Sequence, residues 1–267
     1  MRDFRNRVAV ITGAASGIGF ALAQHAARED MRVVVADKNA DALKNAAQQL
    51  CVNGAQILAV PVDVSRAADV QRLADETFAT FGAVHLLCNN AGVGIATPIL
   101  DGTTADWEWA LGVNLWSVIH ATRIFVPMMR AQKTESHIVN TASIAGLISP
   151  PGLGIYRTTK HAVVAFSEAL YHELADRAPH VKISVLCPGM VKTNILDSAY
   201  RAPDTTARDD AETERLARVM QDAMPPEQVA AQVFDAVRHN RFYILTHPER
   251  SAQIEQRMQN ILAGRNP

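Results

Sequence analysis

Seven short apolar runs, VAVIT (8–12), RVVVA (32–36), ILAVPV (57–62), VHLLC (84–88), HIVNT (137–141), KISVLC (182–187) and FYILT (242–246), recur along this chain. Longer amphipathic stretches separate them. Within the runs apolar and polar residues do not alternate, the pattern of strands covered by helices on both faces of a parallel sheet. The stretches 17–29, 39–52, 65–81, 104–131, 155–178 and 226–239 carry a helical period, with Ser65 and Thr104 placed to act as N-caps. Strand and helix in alternation, joined by right-handed crossovers, predict an α/β, Rossmann-type, doubly wound sheet of seven parallel strands flanked by helices.

A chain of 267 residues is compatible with one such domain. Residues 190–225 break the rhythm with Pro203, Pro225, Pro226 and a mixed-charge run at 207–218, too long for a simple connection, and are expected to form a substrate lid. A polar helical tail is expected at 249–263. The formal net charge of −1, with no cluster of Lys or Arg, argues against nucleic acid and for small-molecule partners. The N-terminal stretch lacks the pattern of a signal peptide, and no run of about 18 apolar residues suggests a membrane span, so a cytoplasmic protein is expected. Cys51, Cys88 and Cys187 show no disulfide or CxxC spacing. The nine histidines make no HExxH pair, so no metal is expected.

The first run leads into Thr12-Gly13-Ala14-Ala15-Ser16-Gly17-Ile18-Gly19 and then directly into a helix. Glycines there let the backbone turn tightly and approach a pyrophosphate, which the helix N-terminus stabilises. Such turns are common, and no Gly-Lys-Ser/Thr follows to make a P-loop. Asp37 ends the second run roughly 20 residues further on, where a carboxylate accepts ribose hydroxyls and repels a 2'-phosphate. That favours NAD. Read alone, Asp37 is also an ordinary strand-end turn residue, and Lys38 beside it could pair with the phosphate of NADP.

Tyr156 and Lys160 stand four apart on an expected helix, hence on one face. A cation beside a phenol that otherwise titrates near about 10 lowers its pKa and suits it to exchange protons. By spacing alone the pair is indistinguishable from ordinary helix surface.

The order of motifs resembles the short-chain dehydrogenase/reductase family over nearly the whole chain. TGAASGIG, Asp63-Val64, Asn89-Asn90-Ala91-Gly92, Asn114, Ser143, Tyr156 with Lys160, and Pro188-Gly189-Met190-Val191-Lys192-Thr193 follow one another as in that family. The resemblance implies that Tyr156 is the general acid/base, that Ser143 hydrogen-bonds the substrate oxygen, and that Lys160 lowers the Tyr156 pKa and holds the nicotinamide ribose. It implies that Asn114 anchors a water leading from Lys160 to solvent. It assigns Gly13, Ser16, Gly17, Ile18, Gly19, Asp37, Asp63, Val64, Asn90, Ala91, Gly92, Pro188, Gly189, Val191 and Thr193 to the cofactor, Asp63 and Val64 at the adenine, Val191 and Thr193 at the carboxamide. Arg157, bulkier than the residue often found after the tyrosine, and Cys187 depart from the pattern without removing a reacting group.

Val93, Gly94, Ile95, residues 144–153 and the lid from Met190 onward would wall the substrate pocket. Those walls are mostly apolar, which points to an uncharged secondary alcohol or ketone. The expected activity is hydride transfer between NAD(H) and such a substrate. An NADP(H)-linked carbonyl reductase on the same site, a non-catalytic dinucleotide sensor, and an epimerase or dehydratase are the alternatives. Trp107, Trp109, Trp116, Ile119, Ile124, Phe125, Met128 and Met129 crowd one helix and could fill the core or cover a partner. The resemblance implies a homotetramer, with a dimer next.

Overall fold

The structure, a computed structural model, describes residues 1–51, 54–195 and 223–267. Seven parallel strands, β1 (Val8–Thr12), β2 (Arg32–Asp37), β3 (Ile57–Pro61), β4 (Leu86–Asn89), β5 (Ser136–Thr141), β6 (Val181–Cys187) and β7 (Tyr243–Leu245), form one sheet in the order β3-β2-β1-β4-β5-β6-β7. The strands explain their own composition. In β1, Ala9 and Ile11 face one hydrophobic layer and Val8 and Val10 the other; β2 divides Val33 and Val35 from Val34 and Ala36 in the same way. Because both faces are covered, apolar residues occupy successive positions in these two strands.

The first layer is closed by α1 (Gly17–Arg28), α2 (Ala40–Leu50) and α7 (Pro226–His239), which contribute Leu22, Leu43 and Phe234. The second is closed by α3 (Ala67–Phe81), α5 (Ser117–Ala131) and α6 (Gly154–Arg177), with Leu73, Phe125 and Leu170. Each fully buried Leu or Phe contributes about 1.5–3 kcal/mol by leaving water. The strand order reverses between β1 and β4, so the loops leaving their carboxyl ends diverge and open a crevice, the place where such sheets take ligands.

Three expectations need correction. The expected single helix 104–131 is α4 (Thr104–Leu111), a π-helical turn (Gly112–Trp116) and α5, in which the Ser117 amide reaches back five residues to the Gly112 carbonyl. Thr103, not Thr104, caps α4: its hydroxyl accepts from the Asp106 amide while the Asp106 carboxylate accepts from the Thr103 amide. Arg66, not Ser65, is the N-cap residue of α3. The Ser65 hydroxyl and amide both donate to Asp63 Oδ1, at 2.6 and 3.1 Å, and so complete a turn one residue before the helix.

The polar tail is a 3-10 turn (Pro248–Arg250) and α8 (Ser251–Leu262), none of whose residues is buried. Of the expected lid, residues 190–195 and 223–225 are described, and the rest lies outside the described residues. The two described ends meet: Lys192 N donates to Met224 O at 2.9 Å and Met224 N to Met190 O at 3.1 Å. Among the described residues no helix is long and apolar enough to cross a membrane, and no three His, Cys, Asp or Glu side chains group as around a metal ion.

Two histidines inside the sheet make the fold sensitive to acid. His85 Nδ1 accepts from the Val8 amide at 3.1 Å, and His137 Nε2 lies 2.7 Å from Ser184 Oγ with Nδ1 buried and unpartnered. Burial, reinforced by Arg7 and Arg32 for one ring and by the amino terminus and Lys182 for the other, lowers their pKa to about 4 and about 3. Unfolding restores a value near about 6.5, so below that pH the unfolded chain binds protons that the folded one refuses, and stability falls. Between about pH 5.5 and 4.5 these two sites should together remove on the order of 2–3 kcal/mol per pH unit, and the slope should ease below that as folded His85 begins to take up its proton. Chemical denaturation across this range should show the slope, and the pair His85→Asn and His137→Gln, which keep the acceptor and the donor, should flatten it. An equally steep slope in that double variant would refute the assignment.

Candidate active site

The glycine turn is shaped by what cannot fit there. A Cβ on Gly19 would sit 2.1 Å from the Gly13 carbonyl oxygen and 2.7 Å from Asn90 Nδ2, and one on Gly17, at φ +54°, 2.9 Å from Thr193 Cγ2. The backbone leaving β1 and the side chains of Asn90, just after β4, and Thr193, after β6, therefore converge on this turn. Ser16 is the N-cap residue of α1, yet its side chain caps nothing, which leaves the first amides of α1 directed at the crevice. Asp37 is pinned at its rim, Oδ2 accepting from Ala15 N at 3.3 Å and Oδ1 from Asn39 N at 2.9 Å.

These features fit a dinucleotide: bare backbone donors for a pyrophosphate, and a fixed carboxylate for a ribose. Lys38 is drawn away, its Nζ 2.9 Å from Asp63 Oδ2. Burial pushes the Asp63 carboxyl up, but Ser65 and Lys38 outweigh it and hold the group below its ordinary value. Val64 is buried in the second core layer. Asn90 stitches the sheet: its amide donates to Thr12 Oγ1 at 3.0 Å and its Nδ2 to Thr12 O at 3.1 Å, while Ala91 N shares the same hydroxyl at 3.1 Å.

Ser143, Tyr156 and Lys160 come together at the carboxyl end of β5. Ser143 caps a 3-10 turn (Ile144–Gly146), accepting from Ala145 N at 3.1 Å, and its hydroxyl is 3.4 Å from Pro188 O. Its hydroxyl also faces the Tyr156 phenol and acts to lower the phenol's pKa. Lys160, one turn along α6 from Tyr156, is 2% exposed; its Nζ donates to Thr141 O at 3.0 Å and lies 5.7 Å from the Tyr156 ring centroid.

Asn114 occupies the π-helical turn and is held on three sides. Its Oδ1 accepts from Val93 N at 2.8 Å, and its Nδ2 donates to Val93 O and to Thr159 Oγ1, each at 3.1 Å. It is joined to α6 through Thr159, not through Lys160 itself. A Cβ on Gly92 would lie 3.3 Å from Asn114 Oδ1 and 3.4 Å from Lys160 Nζ, so glycine at that position lets the two polar groups flank the loop.

The electrostatics reverse one expectation. Burial raises the Tyr156 phenol above its ordinary value, and the Ser143 hydroxyl and the Arg157 charge bring it only part of the way back. Lys160 is itself pulled down to about 8 by burial. Both groups have lost water, and desolvation drives each toward its neutral form. The expected depression of the phenol by Lys160 is not what these positions produce.

Sequence reasoning gave Arg157 no weight, and the structure gives it work. Leu153 adopts a left-handed backbone, φ 55°, as the N-cap of α6, directly after Gly152 at φ +81°. Arg157 Nε donates to Gly152 O at 2.7 Å and Nη1 to Ile148 O at 3.4 Å, fastening this turn to the first turn of the helix that carries Tyr156. Thr141 and Thr159 were missed as well, because a backbone carbonyl and a bridging hydroxyl leave no motif. Ile95, expected in the pocket wall, is buried with Ala110 and Ile155 in a small cluster against which Tyr156 packs.

The chain belongs to the short-chain dehydrogenase family, whose model, short chain dehydrogenase, matches residues 7–204. It is 36% identical over 277 residues to a CLA biosynthesis dehydrogenase/reductase of Lactiplantibacillus plantarum, covering 100% of this chain and 97% of that protein. It is 33% identical over 255 residues to the 1-deoxy-11-beta-hydroxypentalenate dehydrogenase of Streptomyces avermitilis, covering 95% and 89%. The crystal structure of a short chain dehydrogenase/reductase from Burkholderia phymatum in complex with NAD matches with a TM-score of 0.97 and 42% identity, over 100% of this chain and 98% of that one. The protein is accordingly an oxidoreductase of this family, whose members bind NAD(P).

Gly19→Ala places a methyl 2.1 Å from the Gly13 carbonyl oxygen, which forces the turn to open. NADH affinity, followed by quenching of protein fluorescence, should fall at least about tenfold. An unchanged affinity would mean that this turn is not where the cofactor's phosphates rest.

Proposed function

We propose that the protein transfers hydride between NAD(H) and an uncharged, largely apolar secondary alcohol or ketone, with Tyr156 as the general acid/base. The observation that carries this reading is the convergence of the Tyr156 phenol, the Ser143 hydroxyl and the buried Lys160 ammonium at the crevice that also holds the glycine turn. The bound nicotinamide supplies the hydride acceptor or donor.

The chain's own residues handle the oxygen and its proton. As the alcohol carbon loses hydride, Tyr156 takes the hydroxyl proton; in ketone reduction it returns that proton to the carbonyl oxygen. Ser143, held by the Ala145 amide, turns its one proton from the Pro188 carbonyl, 3.4 Å away, to the same oxygen and stabilises the charge that develops there. Lys160 holds the nicotinamide ribose and keeps a positive charge near the phenol. Asn114, fixed to Val93 and Thr159, keeps the adjoining backbone in place for a water that carries protons outward.

Preference for NAD follows from Asp37, fixed at the rim, and from Asp63, which engages the one lysine beside it. An apolar substrate follows from Val93, Ile144, Leu147, Ile148 and Leu153 in the walls and from the commitment of Arg157 donors to the Gly152 and Ile148 carbonyls. The relative from Streptomyces avermitilis carries a hydroxylated compound in its name, which agrees with an alcohol as substrate. The reading includes a lid over residues 190–225 and a homo-oligomer, tetramer or dimer. Phe125 and Met129 are buried within the chain, so of the aromatic and aliphatic side chains suggested for a subunit contact Trp116, at 47% exposure, is the clearest candidate.

A panel of secondary alcohols and ketones assayed with both dinucleotides tests the function. Turnover should be faster with NAD(H), and Tyr156→Phe should bind NADH like the wild type while losing about 10²–10⁴-fold in kcat. Near-normal turnover in that variant would refute the role of Tyr156. A raised phenol pKa also sets a sign for pH. Oxidation needs the phenolate, whose fraction grows with pH below the pKa, so alcohol oxidation should rise between about pH 6 and 7.5, before Lys160 begins to lose its charge, while ketone reduction does not. Oxidation that is flat or falling over this range would contradict the assignment.

A further inference from the structure

The turn that follows β6 is held by a residue far away in sequence. Gly189 N donates to His247 Nδ1 at 3.0 Å, and His247 Nε2 lies 3.1 Å from Met190 O. One ring nitrogen therefore accepts and the other donates, which specifies the neutral imidazole with its proton on Nε2. Thr246 Oγ1, 2.7 Å from Nδ1, braces the ring from the strand side. A Cβ on Gly189 would lie 2.6 Å from His247 Cγ and 2.8 Å from Nδ1, so the ring occupies the volume that any side chain at 189 would need. Glycine and histidine form a matched pair.

The consequences run directly into the site. Pro188 O, in the same turn, accepts from Ile144 N at 2.9 Å and from Ser143 Oγ at 3.4 Å. Downstream, Val191 is buried against the first core layer and bridges Met224, and the Thr193 methyl lies 2.9 Å from where a Gly17 Cβ would be. Residues 188–193 thus run from the Ser143 hydroxyl to the glycine turn, with His247 fastened to two of their first three residues.

We propose that His247 is a positioning residue: by clamping the Gly189 amide and the Met190 carbonyl it holds residues 191–193 in the conformation that receives the nicotinamide half of the dinucleotide. This rests on the dinucleotide reading above. The adenine half is untouched by the clamp, because Asp37 and Asp63 stand at the carboxyl ends of β2 and β3, across the sheet from β7.

Binding of NADH and of ADP-ribose, which lacks the nicotinamide, separates the possibilities by calorimetry without turnover. His247→Ala should weaken NADH by about tenfold or more while leaving ADP-ribose within about twofold, the scale of one or two lost hydrogen bonds at a buried turn. His247→Asn, which can still accept from the Gly189 amide, should recover part of the NADH affinity. Gly189→Ala, whose methyl displaces the ring, should reproduce the His247→Ala pattern. Unchanged NADH affinity in His247→Ala, or equal weakening of both ligands, would overturn the proposal. A wild-type protein that binds ADP-ribose but not NADH would also overturn it, and one that binds neither would overturn the dinucleotide reading itself.

Discussion

The donation from Lys160 Nζ to the Thr141 carbonyl is the contact on which the arrangement of the site turns. An ammonium that is 2% exposed must be paired to be tolerated, and its partner here is the last carbonyl of β5. That requirement sets the height and rotation of α6 against the sheet. It also sets the depth: the Lys160 carbonyl lies 2.6 Å from where a Gly146 Cβ would be, so the helix approaches as closely as a bare backbone permits. One layer deeper, Asn89 Nδ2 donates to Asn140 Oδ1 at 2.9 Å and Asn140 Nδ2 to Ser167 Oγ at 3.0 Å. Strands β4 and β5 and helix α6 are thereby tied by directional bonds in addition to apolar packing, and Tyr156, one turn before Lys160, inherits a fixed position.

The parts legible in the sequence are those in which one residue type answers to one physical need. Strands covered on both faces are mainly apolar, and the runs at 8–11, 33–36 and 183–187, interrupted only by Ser184, state this openly. The glycines at 13, 17 and 19 stand where a Cβ would meet backbone or a neighbouring side chain at 2.1–2.9 Å, so they too can be read. Element ends are harder. Thr103 and Thr104 are the same residue type, and only the Asp106 carboxylate folding back onto Thr103 decides between them. The π-helical turn at 112–116 is marked by no residue type, since what defines it is the bond from the Ser117 amide to the Gly112 carbonyl, which only the folded backbone shows.

Contacts made by main-chain atoms, or across long sequence separations, leave nothing to read. The Thr141 carbonyl would hold Lys160 whatever its side chain. Arg157 looks like a departure from a family pattern until its donors are seen on the Gly152 and Ile148 carbonyls, where they secure a turn containing a left-handed leucine. His247 reads as the start of a tail because its partners lie 58 and 57 residues upstream.

The electrostatic argument from spacing failed for a reason of wider use. A lysine four residues from a tyrosine on one helix face suggests a lowered phenol pKa, because the charges of a solvated pair would attract. Folding takes both groups out of water at once. Each then resists ionisation on its own account, and the attraction between phenolate and ammonium must overcome two desolvation costs before it lowers either pKa. The same loss of water pushes the neighbouring Cys187 thiol up to about 12, which keeps it neutral and removes it as a competing nucleophile beside Ser143. A site whose ionisable groups are all biased toward neutrality is one in which a proton is carried as part of a neutral phenol and handed over when charge develops on the substrate oxygen, and Ser143 and Lys160 are placed to stabilise that charge.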